Sequence, residues 1–133
     1  MPSTITLSIK DENISGKILQ EVIIGFDSEK VTIKDIIEAR VKQEVANYNQ
    51  RLPEYFNGLV EPTDAEKTIN GYRTKNRKPI DAEKQVYVAL DAFQKNGFFV
   101  LVDNLQCSSL EQEVSIKSDT HVSFVKLTPL VGG

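Results

Sequence analysis

The opening of the chain alternates. Ile5, Leu7 and Ile9 fall between Thr4, Thr6 and Ser8, the period-two pattern of a strand with one buried face. The turn signal DENISG follows, and Ile18, Val22, Ile24 and Phe26 then share one face of a second strand, interrupted by Gln20. Together they predict a β-hairpin with a longer loop. Asp27 to Lys30 reads as a polar turn. The period then changes. Thr32 is placed to cap a helix, with Asp35 favouring its positive end, and Ile33, Ile36, Ile37, Val41 and Val45 fall on one helical stripe. Burying such a stripe is worth about 1.5–3 kcal/mol per large aliphatic side chain, so helix and sheet depend on each other.

From Asn47 the periodicity decays into a stretch punctuated by proline, asparagine and glycine that runs to Pro79. Only TDAEKTIN within it suggests a short helical turn. A structureless run of that length is unusual inside a compact domain. The stretch is therefore expected to dock through Leu52, Tyr55, Phe56, Leu59 and Val60, or else to offer these side chains to a partner. Arg73, Lys75, Arg77 and Lys78 form a small basic cluster without interleaved aromatics, which reads as a solvated loop.

Asp81 caps a second helix with the stripe Ala82, Val86, Ala89, Leu90 and Phe93, and Asn96–Gly97 supplies its stop. The helix leads straight into Phe98–Val102, apolar at every position and so expected to be covered on both faces. After it come a turn holding Cys107, a short polar strand, a second turn and a final strand opened by His121. In that last strand Val122 and Phe124 face the core, and Ser123 and Val125 the other side.

Composition narrows the class without naming a function. With 133 residues, 40% apolar and 26% charged, the chain is one globular domain, 1–133, large enough for a real core. Its net charge of −3 argues against a nucleic-acid partner. No apolar run has the length of a membrane span, and the first ten residues carry no secretory pattern. The single Cys107 forms no internal disulfide, which fits a cytoplasmic protein. One His and one Cys make no zinc site, so no metal is expected. There is no nucleophile elbow and no phosphate loop. The expectation is a protein that is not an enzyme and has no catalytic residues. Cys107 has no basic neighbour to activate it, and His121 has no nucleophile to serve.

The last segment, LTPLVGG, is the unusual feature. Pro129 cannot extend strand pairing after Leu127, and Gly132–Gly133 has no Cβ to keep it out of a narrow channel. The run from Phe98, with the strand FFVLVDN, the stretch SSLEQE, the turn KSDT and the strand HVSFVKL before LVGG, resembles the C-terminal half of ubiquitin. It also resembles the small sulfur carriers of molybdopterin and thiamine biosynthesis. At the other end, two strands leading into VTIKDIIEARV look like ubiquitin's entry into its helix. The resemblance covers about two-thirds of the chain by these motifs and omits an insertion at about 47–96.

This resemblance implies an α+β, ubiquitin-like β-grasp fold. Its mixed sheet would have four or five strands, with one or two helices on one face and an inserted segment. It also implies a function, that of a ubiquitin-like modifier of the bacterial kind. The carboxylate of Gly133, presented by Gly132, would be activated by an ATP- and magnesium-using activating enzyme and joined to an amine. A conjugating enzyme and a deconjugating protease would be further partners, and the chain itself would bind no cofactor. Val125, Leu127, Leu130 and Val131 would form the partner-binding surface, as ubiquitin's apolar patch does. Two alternatives stay open: a sulfur carrier ending in a thiocarboxylate, and an interaction module whose tail is never activated.

Overall fold

The computed structural model describes residues 4–51, 55–56, 65–68, 71–74 and 80–126, with side chains placed for 4–50 and 80–126. In chain order the elements are β1 (Ile5–Asn13), β2 (Ile18–Phe26), β3 (Lys30–Thr32), α1 (Ile33–Arg51), β4 (Tyr55–Phe56), β5 (Ala65–Thr68), β6 (Gly71–Thr74), α2 (Ala82–Gln94), β7 (Phe98–Val102), β8 (Leu105–Cys107), β9 (Glu113–Ser115) and β10 (Val122–Lys126). Five of the strands make a mixed sheet in the order β2-β1-β10-β7-β8. The first and last strands are thus central neighbours, paired in parallel from Ile9↔Val122 to Asn13↔Lys126, and all other pairs are antiparallel. The fold is α+β, with both helices on one face of this sheet. No described helix is long and apolar enough to cross a membrane.

The helix stripe does what its spacing predicts. Ile33, Ile36, Ile37 and Val41 are fully buried and Val45 nearly so, against Leu7, Ile9, Ile24, Val122 and Phe124 of the sheet. Thr32 and Asp35 form a reciprocal capping box: Asp35 N–H donates to Thr32 Oγ1 at 3.1 Å, and Thr32 N–H to Asp35 Oδ2 at 3.0 Å. The next two orphan donors of α1, the N–H groups of Ile33 and Lys34, reach the carbonyls of Gln112 and Leu110. This anchorage continues as the small β3–β9 ladder, Lys30↔Ser115 to Thr32↔Glu113.

At α2, Asp81 caps the N–H groups of Glu83 and Lys84. The helix ends in a Schellman motif: Gly97 N–H donates to Ala92 O, Asn96 N–H to Phe93 O, and Asn96 itself takes the left-handed conformation at φ 62°. Val86, Ala89 and Phe93 are buried, and Phe93 meets Phe98, which in turn meets Phe124 edge-on, each pair at 5.9 Å between ring centroids. Leu90 and Ala82 are only partly buried and pack on the rim of this core.

Several expectations are corrected. Ile18 does not share the buried face of Ile24 and Phe26 and is 49% exposed. The pairing shifts between Asp11↔Gln20 and Glu12↔Ile18, so Leu19 is the extra residue of a β-bulge and alternation restarts beyond it. Lys30 belongs to β3 rather than to a turn. α1 continues past Asn47 to Arg51, so the irregular part of the insertion begins later than the sequence suggests. Within TDAEKTIN, the described residues Ala65–Thr68 are not helical. Ala65–Thr68 is a strand paired with Gly71–Thr74, and β4 joins on the other side of β6. The register Thr68↔Gly71 closes a tight hairpin whose pairing outweighs the local helix preference of Ala65, Glu66 and Lys67.

Cys107 lies in β8, not in a turn, and is buried opposite Val100. β7 and β8 are joined at Asp103–Asn104, both with positive φ (50° and 67°), as a two-residue primed turn requires. β7 is covered on one face only: Phe98, Val100 and Val102 are buried, while Phe99 and Leu101 are half-buried on the other side. The docking expected of Leu52, Tyr55, Phe56, Leu59 and Val60 lies outside the described side chains, as does the basic cluster at 73–78.

Candidate functional site

Directly paired residues of a sheet share a face, so the pairing table maps the side that no helix covers. One row there runs Glu21↔Lys10↔Ser123↔Leu101, with the opposite charges of Lys10 and Glu21 facing each other. Glu21 also accepts from the Ser8 hydroxyl. The next row is more apolar: Glu12↔Val125↔Phe99. The bulge extends this row, because it sets both Ile18 and Leu19 against Glu12 and leaves them about half exposed, at 49% and 47%. Ile14, at 68% exposure, begins the adjoining turn.

This apolar end is also where β10 ends, at Lys126. β1 and β10 run parallel, and their last partners are Asn13 and Lys126. Leu127 therefore follows from the same end at which Ile14 starts the β1–β2 turn. Val125, the sequence-derived partner residue within the described chain, is half-buried on the open face as expected. Leu127, Leu130, Val131, Gly132 and Gly133 lie outside the described residues. Sequence reasoning missed Phe99, Ile14, Ile18 and Leu19. Phe99 was legible as the cross-strand partner of Val125 once the hairpin order was known. The bulge residues were not, because a bulge leaves no composition signal.

Beneath the same end, on the helix side, sits a buried ion network that the sequence did not announce. Asp11, Arg40 and Glu44 are all buried, Asp11 and Arg40 completely. Arg40 Nη2 meets Asp11 Oδ2 at 2.5 Å, Arg40 Nη1 donates to Glu44, and Gln20 Nε2 donates to Asp11 Oδ2 at 2.8 Å. Burial alone would pull the guanidinium's pKa down. The charges and hydrogen bonds of Glu44 and Asp11 outweigh it and hold Arg40 above its usual value. The network ties the middle of α1 to β1, two residues before its last pair with β10, Asn13↔Lys126.

The other reactive side chains are placed for structure. Burial pushes the Cys107 thiol up, against a smaller lowering by its backbone hydrogen bond to Val102. A protonated thiol is a poor nucleophile. His121 is exposed, and its backbone N–H and C=O exchange hydrogen bonds with Asp103 Oδ1 and N–H at 2.9 and 2.8 Å. Among the described residues, no group of three His, Cys, Asp or Glu side chains is arranged to hold a metal ion. The arrangement among the described residues is a half-apolar sheet face beside the end of β10. In comparisons with known proteins, no family, no curated protein and no solved structure matches this chain.

Proposed function

We propose that the chain is a ubiquitin-like modifier built on a β-grasp, and that its work is to present Gly133 to an activating enzyme. The observation that carries this reading is the parallel pairing of first and last strands at the centre of the sheet. That pairing sets Lys126, the residue before LTPLVGG, at the end of a central strand, near an exposed apolar cluster of Ile14, Ile18 and Leu19 and the Val125–Phe99 pair. A partner gripping that cluster would hold the last segment at a fixed offset, which positions its acyl group for reaction.

The chemistry requires a free carboxylate on Gly133. Where residues follow it, a protease must first cut there. The carboxylate oxygen attacks the α-phosphorus of ATP held with magnesium by the partner, and pyrophosphate leaves. The partner's thiolate then attacks the acyl carbon, AMP leaves and a thioester forms. An amine attacks in turn, the thiol leaves, and the product is an amide. This chain supplies surface and acyl group; the catalytic groups are the partner's. Gly132 and Gly133 matter because absent Cβ atoms leave the carbonyl open to attack and the backbone free to thread.

Intact-mass and peptide analysis of the protein recovered from its own cells tests the reading. An amide-linked adduct through Gly133 is expected. A thiocarboxylate there would instead make the chain a sulfur carrier. An unmodified Gly133, dispensable for biological activity, would leave only a ubiquitin-like interaction module.

A further inference from the structure

β2 is the outermost strand of the main sheet, and no described strand lies on its free side. Such an edge offers a row of unpaired N–H and C=O groups, and proteins usually blunt it with short length, proline, lysine or bulges. β2 has few of these protections. It is nine residues long, contains no proline, carries Glu21 as its sole charge, and leaves Ile23 66% exposed. The opposite edge, β8, is three residues long and so is blunted by length.

One protection is present, the bulge at Leu19, and it defines what can pair. It leaves Gln20–Phe26 as the regular part of the edge, with Ile23 at its midpoint. We infer that two copies of the chain associate through this edge, antiparallel about a two-fold axis at Ile23. The pairs are then Val22↔Ile24, Glu21↔Gly25 and Gln20↔Phe26, with Ile23 against its own copy. In each pair the residues lie an even number of positions apart, so groups pointing to the free side in one copy meet groups pointing the same way in the other. The alternative centre at Glu21 would set two carboxylates face to face.

Charge complementarity supports the same register. Lys17 precedes the strand and Asp27 and Glu29 follow it, all three exposed. Antiparallel association brings Lys17 of one copy level with the Asp27–Glu29 turn of the other, twice by symmetry. The axis is perpendicular to the sheet, so the helices stay on one side. The Val125–Phe99 pair, two strands in from this edge, stays uncovered in both copies. This inference does not depend on the reading of Gly133.

Sedimentation equilibrium of the full chain over a wide concentration range is the test. A monomer–dimer equilibrium is expected. Ile23→Lys places two ammonium groups at the axis and should weaken the dimer about a hundredfold or more. Because Ile23 is exposed in the single chain, the variant's thermal melt should match that of wild type at concentrations low enough for both to be monomeric. Lys17→Glu should weaken the dimer about tenfold, and adding Asp27→Lys with Glu29→Lys should restore it. A wild-type chain that stays monomeric overturns the inference, as does a dimer indifferent to Ile23→Lys or a charge reversal that fails to rescue. In the monomeric case the edge is left for an extended segment of a different protein.

Discussion

Asn49 holds the backbone of Ile80 by both of its polar groups. Asn49 Oδ1 accepts from Ile80 N–H at 2.8 Å, and Asn49 Nδ2 donates to Ile80 O at 3.0 Å. Near the end of α1 and just before α2, this clamp closes the base of the excursion between them. β4, β5 and β6 within the excursion form a three-stranded sheet of their own, in the order β4-β6-β5. Replacing residues 52–79 with a short Gly-Ser linker should therefore leave the five-stranded sheet and both helices folded, because the loop ends are already together. Circular dichroism and a cooperative thermal melt would check this. Asn49→Ala, which strips two half-buried backbone groups of their partner, should cost about 1–3 kcal/mol. Collapse of the shortened chain would show that the excursion completes the core.

Arg40 should be the most expensive charge in the molecule to remove. Arg40→Met removes the guanidinium that pairs with both buried carboxylates, Asp11 and Glu44, and losing one member of a buried ion network costs about 3–5 kcal/mol. Against total stabilities of about 5–15 kcal/mol, that is a large share. Urea titration should show a lower midpoint with an unchanged slope. The i,i+4 pair of Lys42 with Glu38 on the solvent side of the same helix offers the contrast, and Lys42→Met should leave the midpoint nearly where it was.

Cys107 should make stability fall with alkaline pH. Its thiol is held above the ordinary value of 9.0 by burial. Below that value the thiol is protonated in both states and nothing is lost. As pH rises through it, the unfolded chain releases the proton while the folded chain keeps it. The folded state then binds more protons, so stability declines until the folded thiol also ionises. Comparing wild type with Cys107→Ala at about pH 8 and pH 10 isolates the effect, since other groups titrate in both. A wild-type decline no steeper than that of the variant would refute it. Thiol-directed reagents at neutral pH should react only as fast as the protein opens.

What could be read from the sequence, and what could not, divides by range of interaction. The stripe of Ile33, Ile36, Ile37, Val41 and Val45 and the caps at Thr32 and Asp81 are local patterns, and each reappears in the structure. Arg40 sits among that stripe, but a lone arginine reads as solvent-facing until its partner is known, and Asp11 lies in another element. The β3–β9 ladder joins segments far apart in sequence, and nothing within Lys30–Thr32 marks it. The bulge at Leu19 hid for a different reason: Ile18 still looks apolar, and only the register shows that its face has changed. Asp103–Asn104, by contrast, was a legible turn pair, and its neglect misplaced Cys107.

The open face and the last segment should fail in different ways when altered. Val125 and Phe99 are cross-strand partners on the side away from the helices, one residue from the end of β10 at Lys126. If the chain is the modifier proposed above, Val125→Ala and Phe99→Ala should raise the concentration needed to half-saturate an activating enzyme about tenfold, the usual scale for an apolar contact residue. The maximal rate of ATP–pyrophosphate exchange should stay the same, because these side chains bind rather than react. Deleting Gly132 and Gly133 should do the reverse, abolishing exchange while the melt is unchanged. Gly133→Ala should fall between, folding normally but activating slowly, since a Cβ beside the carbonyl crowds the attacked carbon. Leu127, Leu130 and Val131 should behave like Val125 if they are read by the same partner. Should Val125→Ala and Phe99→Ala cut the maximal rate and leave half-saturation alone, the sheet face would not be the recognition surface. A full rate without Gly132–Gly133 would remove the acyl chemistry from this chain altogether.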